Sequence, residues 1–170
     1  IHLKNGFAYL SLITDAYSRK IVGFYLSKTL EATGSIRALK MALQNNKVEQ
    51  NNLIHHSDRG VQYCCNAYVE ILNNKRIKIS MTENGDPLEN AIAERVNGIL
   101  KDELLEDLYK DFESAQSGVA KAISVYNHLR PHSSISYKTP IELHNTNKPV
   151  QRKWKNYYIK KELLNVGINQ

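Results

Sequence analysis

Residues 7–26 read FAYLSLITDAYSRKIVGFYL, with two β-rich runs on either side of a polar turn at residues 16–19. Runs of β-branched and aromatic residues separated by a short polar segment are typical of a β-hairpin. Residues 32–45 follow with apolar side chains at spacings of three and four, which predicts an amphipathic helix packed on a sheet. The opening of the chain therefore predicts a hairpin covered by a helix.

Beyond this hairpin the chain alternates short strands with helices. Residues 53–56 and 77–81 read as strands, and residues 82–89 as an irregular loop with Gly, Asp and Pro. The periodicity predicts helices at 66–73, 90–108 and 114–129, the last one closed by Pro131. Such alternation favours an α/β fold, and the hairpin makes its sheet mixed.

The composition indicates one globular domain with an anionic partner. The chain has 170 residues, 42% hydrophobic and 24% charged, and a formal net charge of +6. We expect a domain at residues 1–144 and a basic, aromatic tail at 145–170. Because no apolar run approaches the roughly 20 residues of a membrane span, and the start lacks a signal-peptide pattern, we expect a cytoplasmic protein.

Two adjacent cysteines, Cys64 and Cys65, are the only ones in the chain. Adjacent cysteines suit neither a disulfide framework nor the spaced ligands of a zinc site. We expect both to be reduced and packed.

Two carboxylates stand at positions where a metal site is often built. Asp58 ends a predicted strand, and Glu94 lies one turn into the predicted helix 90–108. Packing this helix beside the sheet edge would bring the two acids together, and Mg²⁺ or Mn²⁺ prefers such oxygen ligands. Judged alone, the two positions are equally typical of solvent-facing acids.

The residues around both acids match known sequence motifs. Residues 56–63, HSDRGVQY, match HSDxGxQY, and residues 90–94, NAIAE, match DNAxxE with Glu89 in place of the usual Asp. Residues 59–93, 35 in number, separate the two acids, and Lys101 follows Glu94 by seven positions. Residues 126–132, YNHLRPH, and 139–142, TPIE, match YNxxRPHxxL…TPxE, with Ile135 for the usual Leu.

These motifs, in this order, resemble insertion-sequence transposases of the retroviral-integrase-like, three-carboxylate superfamily. The resemblance implies a ribonuclease-H-like mixed sheet flanked by helices, in which Asp58 and Glu94 bind Mg²⁺ or Mn²⁺ and are catalytic. It implies cleavage of element ends and strand transfer into DNA, by attack of water or a 3′ hydroxyl on phosphodiesters. It also implies a bacterial, nucleoid-associated protein that works as a dimer or higher homo-oligomer.

The third carboxylate of this family lies on the first strand, upstream of a hairpin like this one. Asp15 is the only aspartate among the first 57 residues, and it falls in the hairpin turn. We therefore interpret Asp15 as a turn residue. We expect the first strand and its acid to be absent from this sequence, and the fragment to be inactive without them.

Further residues are candidates for DNA contact. The resemblance favours Lys101 on a phosphate, although a helix neighbour of nearby acids is the plainer alternative. Arg59 and Gln62 follow Asp58 at the sheet edge, where ligands often bind. Asn90 either contacts DNA or caps its helix. Basic and aromatic residues alternate at 148–161, where we predict DNA contacts at Arg152, Lys153 and Lys155.

We expect structural roles for three other residues. His55 and His56 are expected to form local hydrogen bonds rather than to bind metal, and Arg130 to stabilise a helix-ending turn. Two rival functions remain open: a degenerate or domesticated DNA-binding remnant without catalysis, and another ribonuclease-H-like nuclease such as a resolvase. The YNxxRPH and TPxE endings argue against the nuclease.

Overall fold

The predicted hairpin is present in the computed structural model, which describes residues 1–44, 53–82 and 90–146. Strands β3 (Tyr9–Thr14) and β4 (Ile21–Ser27) pair antiparallel, with Tyr9 opposite Ser27 and a register shift between Ile13 and Thr14. Two short strands precede them, β1 (His2–Leu3) and β2 (Gly6–Phe7), and these pair with each other.

Helices follow and cover the strands. In chain order the remaining elements are α1 (Ala32–Gln44), β5 (Ile54–Ser57), α2 (Val61–Cys64), α3 (Asn66–Asn74), β6 (Lys78–Met81), α4 (Ala91–Ile99), a π-helical segment (Leu100–Leu104), α5 (Phe112–His128), a 3-10 turn (Ser133–Ile135) and α6 (Pro140–His144). The predicted strands and the helices at 66–73 and 114–129 are confirmed within a few residues. Most of the predicted loop 82–89 lies outside the described residues.

Helix α1 packs directly on the hairpin because β4 carries a glycine at the crossing. A Cβ at Gly23 would overlap the carbonyl oxygen of Ala38 and lie 2.9 Å from the Cβ of Ala42. Farther along the same contact, the hydroxyls of Ser11 and Ser35 are 3.2 Å apart. The small residues on both elements allow the close approach of helix and strand.

Two apolar clusters form the core. The larger one joins the hairpin to α4 and α5, with Leu26, Ile99 and Val119 all nearly fully buried. The smaller one joins α1 to α3 and includes Leu39 and Tyr68. Each cluster buries one face of amphipathic helices, as the apolar spacing predicts.

The strands of the described residues form three two-stranded sheets. The third of them is parallel, with β5 beside β6 and Ile54 opposite Lys78. The α/β class with antiparallel and parallel pairing is confirmed. Among the described residues the antiparallel and parallel pairs stand as separate two-stranded sheets.

The prediction of one long helix at 90–108 was wrong, because α4 ends at Ile99 and the π-helical segment after it ends at Leu104. After α4 the Leu105 N–H bonds to the Leu100 carbonyl at 2.8 Å, a π-type closure, and Leu105 itself is extended. The next N–H, of Glu106, donates to the hydroxyl of Tyr109 at 3.1 Å. Buried Tyr109 is held in turn by backbone bonds to His2 and Lys4. Tertiary contacts thus end the helix although its apolar periodicity continues.

Helix α5 begins at a capping box, in which Asp111 accepts from the Ser114 N–H at 2.8 Å and Ser114 Oγ bonds back to the Asp111 backbone. Its far end is tied to the hairpin by Asn127. The Asn127 side chain accepts from the Ile21 N–H at 2.9 Å and donates to the Ile21 carbonyl at 3.0 Å. This buried pair of bonds satisfies a backbone edge of β4.

Both cysteines are unbridged, as predicted. Cys65 is partly buried, but Cys64 is exposed, so the expectation that both are packed was wrong for Cys64. Across residues 1–44, 53–82 and 90–146, no helix is long and apolar enough to cross a bilayer.

Candidate metal and nucleic-acid site

A groove of about 660 Å³ lies between the hairpin and helix α4. Its lining comes from β3, the start of α1, α2, α4 and the π-helical segment, and it includes Ser35, Gln62, Tyr63, Asn97 and Lys101. Gln62 and Lys101, two of the predicted DNA-binding residues, therefore line one groove although 39 positions separate them in the sequence.

Asp58 lies just after β5, where the parallel pairing ends. Its carboxylate accepts the Gly60 N–H at 2.9 Å, and this short turn leads directly into α2. Burial raises the pKa of the Tyr63 phenol, and the Asp58 charge raises it further against opposing hydrogen bonds from Gln62 and Ser35. The charge of Asp58 therefore affects the pKa of Tyr63, which lines the groove.

Arg59 is held at the same strand end. Its Nε donates to the Thr82 carbonyl at 2.8 Å, just beyond β6. The predicted DNA contact of Arg59 is untested, and this bond limits the directions that the guanidinium can take.

Glu94 lies in the first turn of α4 and is exposed. Residues three and seven positions later on a helix share nearly the same face, and these are Asn97 and Lys101, which line the groove. Lys101 belongs to the π-helical segment and forms no ion pair in the described part of the chain. The plainer interpretation of Lys101, as a partner of helix acids, thus lacks a contact to support it.

Asn90 occupies the N-cap position of α4, as one of its two interpretations required. Its side chain makes no capping hydrogen bond, so the expected capping function is wrong. The predicted DNA contact of Asn90 stays a prediction. Arg152, Lys153 and Lys155 lie outside the described residues, as does the rest of the segment 148–161.

The chemistry of the donors fits a hard divalent cation. Asp58 and Glu94 are both exposed carboxylates, and carboxylate oxygens are preferred ligands of Mg²⁺. Neither acid lines the groove itself, although the segments that follow them do, at Gln62 and Asn97. The structure does not bring a third acid to them: within residues 1–44, 53–82 and 90–146 no three His, Cys, Asp or Glu side chains gather into a metal-binding group. Metal binding by Asp58 and Glu94 therefore stays a prediction.

His55 and His56 form the local hydrogen bonds that were predicted. His55 Nε2 lies 2.6 Å from the Tyr68 hydroxyl, and His56 Nδ1 lies 3.0 Å from Ser80 Oγ. Burial, and next the neighbouring His56, lowers the pKa of His55. Both rings thus stabilise β5, the strand that precedes Asp58.

Asp15 accepts hydrogen bonds within the hairpin turn, from the Tyr17 and Ser18 N–H groups and from Ser18 Oγ at 2.5 Å. His144 Nδ1 approaches Asp15 Oδ2 at 3.2 Å and Ser18 Oγ at 3.1 Å. Burial raises the pKa of Asp15, but these hydrogen bonds outweigh it and hold the pKa below its ordinary value.

This Ser–His–Asp group is not a hydrolytic triad. Ser18 is fully buried and donates straight to the carboxylate, so it has no access to a substrate. The group joins the hairpin turn to α6, and the interpretation of Asp15 as a turn residue is supported.

Arg130 has the structural function that was predicted for it. Its Nε and Nη2 each donate to one Glu103 oxygen at 2.7 Å, which joins the end of α5 to the π-helical segment. Nearby, the His132 ring stacks edge-on against Tyr126 with ring centres 4.8 Å apart. Burial, and next the charge of Arg130, lowers the pKa of His132 to about 4.

Sequence reasoning missed Tyr63 and Asn97 as groove residues. Tyr63 was inside the quoted HSDxGxQY motif, and Asn97 is one turn from Glu94, so both could have been found from their spacing. The three-residue contact between Asp15, Ser18 and His144 had no sequence signal, because its members lie up to 129 positions apart.

Comparison with known proteins agrees with this geometry. Two family models, each described as an integrase core domain, match residues 1–87 and 75–140. The transposase for insertion sequence element IS904 of Lactococcus lactis is 33% identical over 142 residues, which cover 82% of this chain and 56% of that protein. The chain spans about half the length of the curated relatives it matches.

Solved structures show the same fold. A chain of the simian T-cell lymphotropic virus intasome, in complex with PP2A regulatory subunit B56 gamma, superposes with a TM-score of 0.69 at 19% identity, covering 92% of this chain and 55% of that one. The HTLV-2 integrase catalytic core domain in complex with magnesium gives 0.56 at 18% identity, covering 85% and 96%. The ribonuclease-H-like fold is thereby confirmed, and the chain belongs to the integrase core domain family.

Proposed function

We propose that this chain is the catalytic core of a DNA transposase, in which Asp58 and Glu94 bind Mg²⁺ or Mn²⁺ for cleavage of element ends and strand transfer. The observation that carries the proposal is the shared groove: the segments that follow Asp58 and Glu94 both line it, through Gln62 and Lys101. The insertion-sequence relatives and the magnesium complex of a structural neighbour support it.

This proposal assigns a distinct role to each of the predicted site residues. When bound, the divalent cations would activate the attacking hydroxyl and stabilise the leaving oxygen. Asp58 and Glu94 supply two of the ligand groups for these cations. Lys101 binds a DNA phosphate next to them, and Gln62 and Asn97 offer amide groups to the same strand.

The proposal includes partners and a location. Two element ends must be handled together, so we infer a homo-oligomer, and the assembled integrase of a structural neighbour supports this. The relatives are bacterial proteins, which favours action on DNA in the bacterial nucleoid. A domain at residues 1–144 with a basic, DNA-binding tail at 145–170 remains part of the proposal.

Strand transfer by the complete gene product tests the proposal. In Mn²⁺, a labelled element end should be joined to plasmid DNA, and Asp58→Asn or Glu94→Gln should each lower the rate on the order of 100-fold or more. Glu70→Gln, which changes an exposed acid of α3, is the matched control and should keep the full rate. Joining that is unaffected by both site variants would reject the metal site.

The same assay separates the rival functions. A complete gene product that binds DNA but joins none of it in Mn²⁺ or Mg²⁺ would indicate a DNA-binding remnant. A product that only nicks DNA would indicate a ribonuclease-H-like nuclease.

A further inference from the structure

An aromatic cluster connects the elements on either side of Asp58. It consists of His55 in β5, Tyr63 in α2 and Tyr68 in α3. His55 Nε2 lies 2.6 Å from the Tyr68 hydroxyl, and the two ring centres are 5.4 Å apart. The Tyr63 and Tyr68 rings meet edge to face, with centres 5.5 Å apart. The strand before Asp58 is therefore joined through side chains to both helices that follow it.

Backbone hydrogen bonds extend this cluster to the Asp58 carboxylate. The Tyr63 N–H donates to the Gly60 carbonyl at 2.9 Å, and the Gly60 N–H donates to Asp58 Oδ1 at 2.9 Å. In the described part of the chain Asp58 Oδ2 accepts no hydrogen bond, so this second oxygen is available to a ligand. The contacts thus run from β5 through both helices and return to the end of the same strand.

The cluster gives an exposed acid a buried anchor. Tyr68 is fully buried in the smaller apolar cluster, against which Tyr63 also packs, whereas Asp58 is exposed. An exposed side chain on a turn samples several rotamers unless neighbouring contacts restrict it. The connection to Tyr68 restricts the backbone of this turn, and with it the direction of the Asp58 side chain.

A polar pair makes this anchor directional. Apolar packing alone has no preferred direction. The Tyr68 hydroxyl and the His55 ring must keep their hydrogen bond, because losing it would leave two polar groups unpaired in the core. The pair therefore fixes the position of α3 relative to β5 more narrowly than two apolar side chains would.

The other side of the turn is fixed by different residues. The Thr82 N–H donates to the Ser57 carbonyl at 3.1 Å, and the Thr82 carbonyl accepts from Arg59 Nε at 2.8 Å. These bonds join the strand end to β6 and do not involve the aromatic cluster. The cluster therefore acts on the α2 side of the turn, where the bond between Gly60 and Asp58 lies.

We propose that the aromatic cluster positions the Asp58 carboxylate so that Oδ2 can bind a divalent cation. This inference rests on the proposed function, which makes Asp58 a metal ligand. The three side chains act through Asp58 and are positioning residues. Residues that orient metal ligands from behind typically change metal affinity by about 10- to 100-fold when they are replaced.

The Gly60 amide proton reports the position of Asp58 without any metal. It is followed in ¹⁵N–¹H spectra of the 170-residue chain in EDTA, with Asp58→Ala as the reference for a lost bond to a charged acceptor. Tyr68→Phe removes the hydroxyl bonded to His55 and keeps the ring. We expect it to move the Gly60 resonance toward its position in Asp58→Ala.

Mn²⁺ binding to the complete gene product tests the consequence for the cation, with free Mn²⁺ measured by electron paramagnetic resonance. Tyr68→Phe and Tyr63→Leu should each raise the Kd for Mn²⁺ roughly 10-fold. Tyr63→Phe keeps the edge-to-face contact with Tyr68 and should keep the affinity of the unchanged protein.

Tyr126→Phe is the matched control, because it removes the hydroxyl of an equally buried tyrosine in the larger apolar cluster. It should change neither the Gly60 resonance nor the affinity for Mn²⁺. A merely structural role of Tyr68 would lower resistance to urea and leave the Mn²⁺ affinity of the folded protein unchanged.

Two results would overturn the inference: a Gly60 resonance that stays in place in Tyr68→Phe, or full Mn²⁺ affinity in both Tyr68→Phe and Tyr63→Leu. If Asp58→Ala weakens Mn²⁺ binding and these variants do not, the inference fails and the proposed metal site stands. If Asp58→Ala keeps full Mn²⁺ affinity, the proposed metal site fails, and the Gly60 resonance alone decides whether the cluster positions the carboxylate.

Discussion

Acid should destabilise this fold through His132 before its carboxylates are protonated. The ring is 6% exposed, its Nε2 has no partner in the described structure, and its pKa is about 4 against 6.5 for an ordinary histidine. Because the unfolded chain binds this proton more readily, stability from His132 is complete above pH 6.5 and is lost as the pH falls toward 4.

The size of the effect follows from the two pKa values. Between pH 7.5 and pH 5 the unfolded histidine becomes almost fully protonated while the folded one stays mostly neutral, which corresponds to about 2 kcal/mol. Arg130 and Glu103 are partly exposed, and solvent screens their charges, so we expect about 1–2 kcal/mol.

Urea denaturation followed by far-UV circular dichroism measures this loss at pH 7.5, 6 and 5. His132→Phe keeps a ring against Tyr126 and removes the titration, so the unchanged chain should lose about 1–2 kcal/mol more than the variant over this range. His128→Gln, at an exposed position of α5, is the control and should follow the unchanged chain. Equal pH dependence of the unchanged chain and His132→Phe would refute the reasoning.

Other contacts of the core lead to further predictions that the same denaturation assay checks at pH 7.5. Asn127→Ala should lower the free energy of unfolding by about 2–4 kcal/mol, because the N–H and carbonyl of Ile21 both lose their buried partner. Gly23→Ala should lower it by about 1–3 kcal/mol, since the new methyl overlaps the backbone of α1 at Ala38. Gly98→Ala should instead raise it by up to about 1 kcal/mol, because alanine favours the helix and the nearest atom to the new methyl, Asp102 Oδ2, is 3.9 Å away, an ordinary van der Waals distance; a loss there would contradict the packing described for α4.

Much of the fold could be predicted from local patterns. The hairpin and α5 follow from periodicities of two and 3.6 that are complete within about 20 residues, so neighbouring side chains decide them. The positions of Asp58 and Glu94 at a strand end and in a helical first turn were predictable for the same reason. The closeness of Asp58 and Glu94 themselves stays a prediction, because neither acid lines the groove that the segments after them share.

The end of the Glu94 helix was not predictable in this way. Leu104 and Leu105 continue the apolar pattern, but the chain turns away there because Tyr109 is buried against the first strand, about 100 residues earlier in the sequence. The Arg130–Glu103 ion pair is similar, since its two residues are 27 positions apart and meet only in the folded chain. A short stretch of sequence around either residue does not show that the two will pair.

Two polar anchors of the hairpin that begins the chain come from residues that are synthesised much later. The Ile21 backbone bonds to Asn127, which lies 106 positions later in the sequence. The turn residue Asp15 contacts His144, which lies 129 positions later. At synthesis rates of about 5–20 residues per second, roughly 5–25 s pass before these anchors leave the ribosome. During that interval the β3–β4 ribbon has only α1 to pack on it, lacks these two anchors and keeps open strand edges. Nascent chains should therefore be captured by chaperones through this ribbon until α5 and α6 have been made.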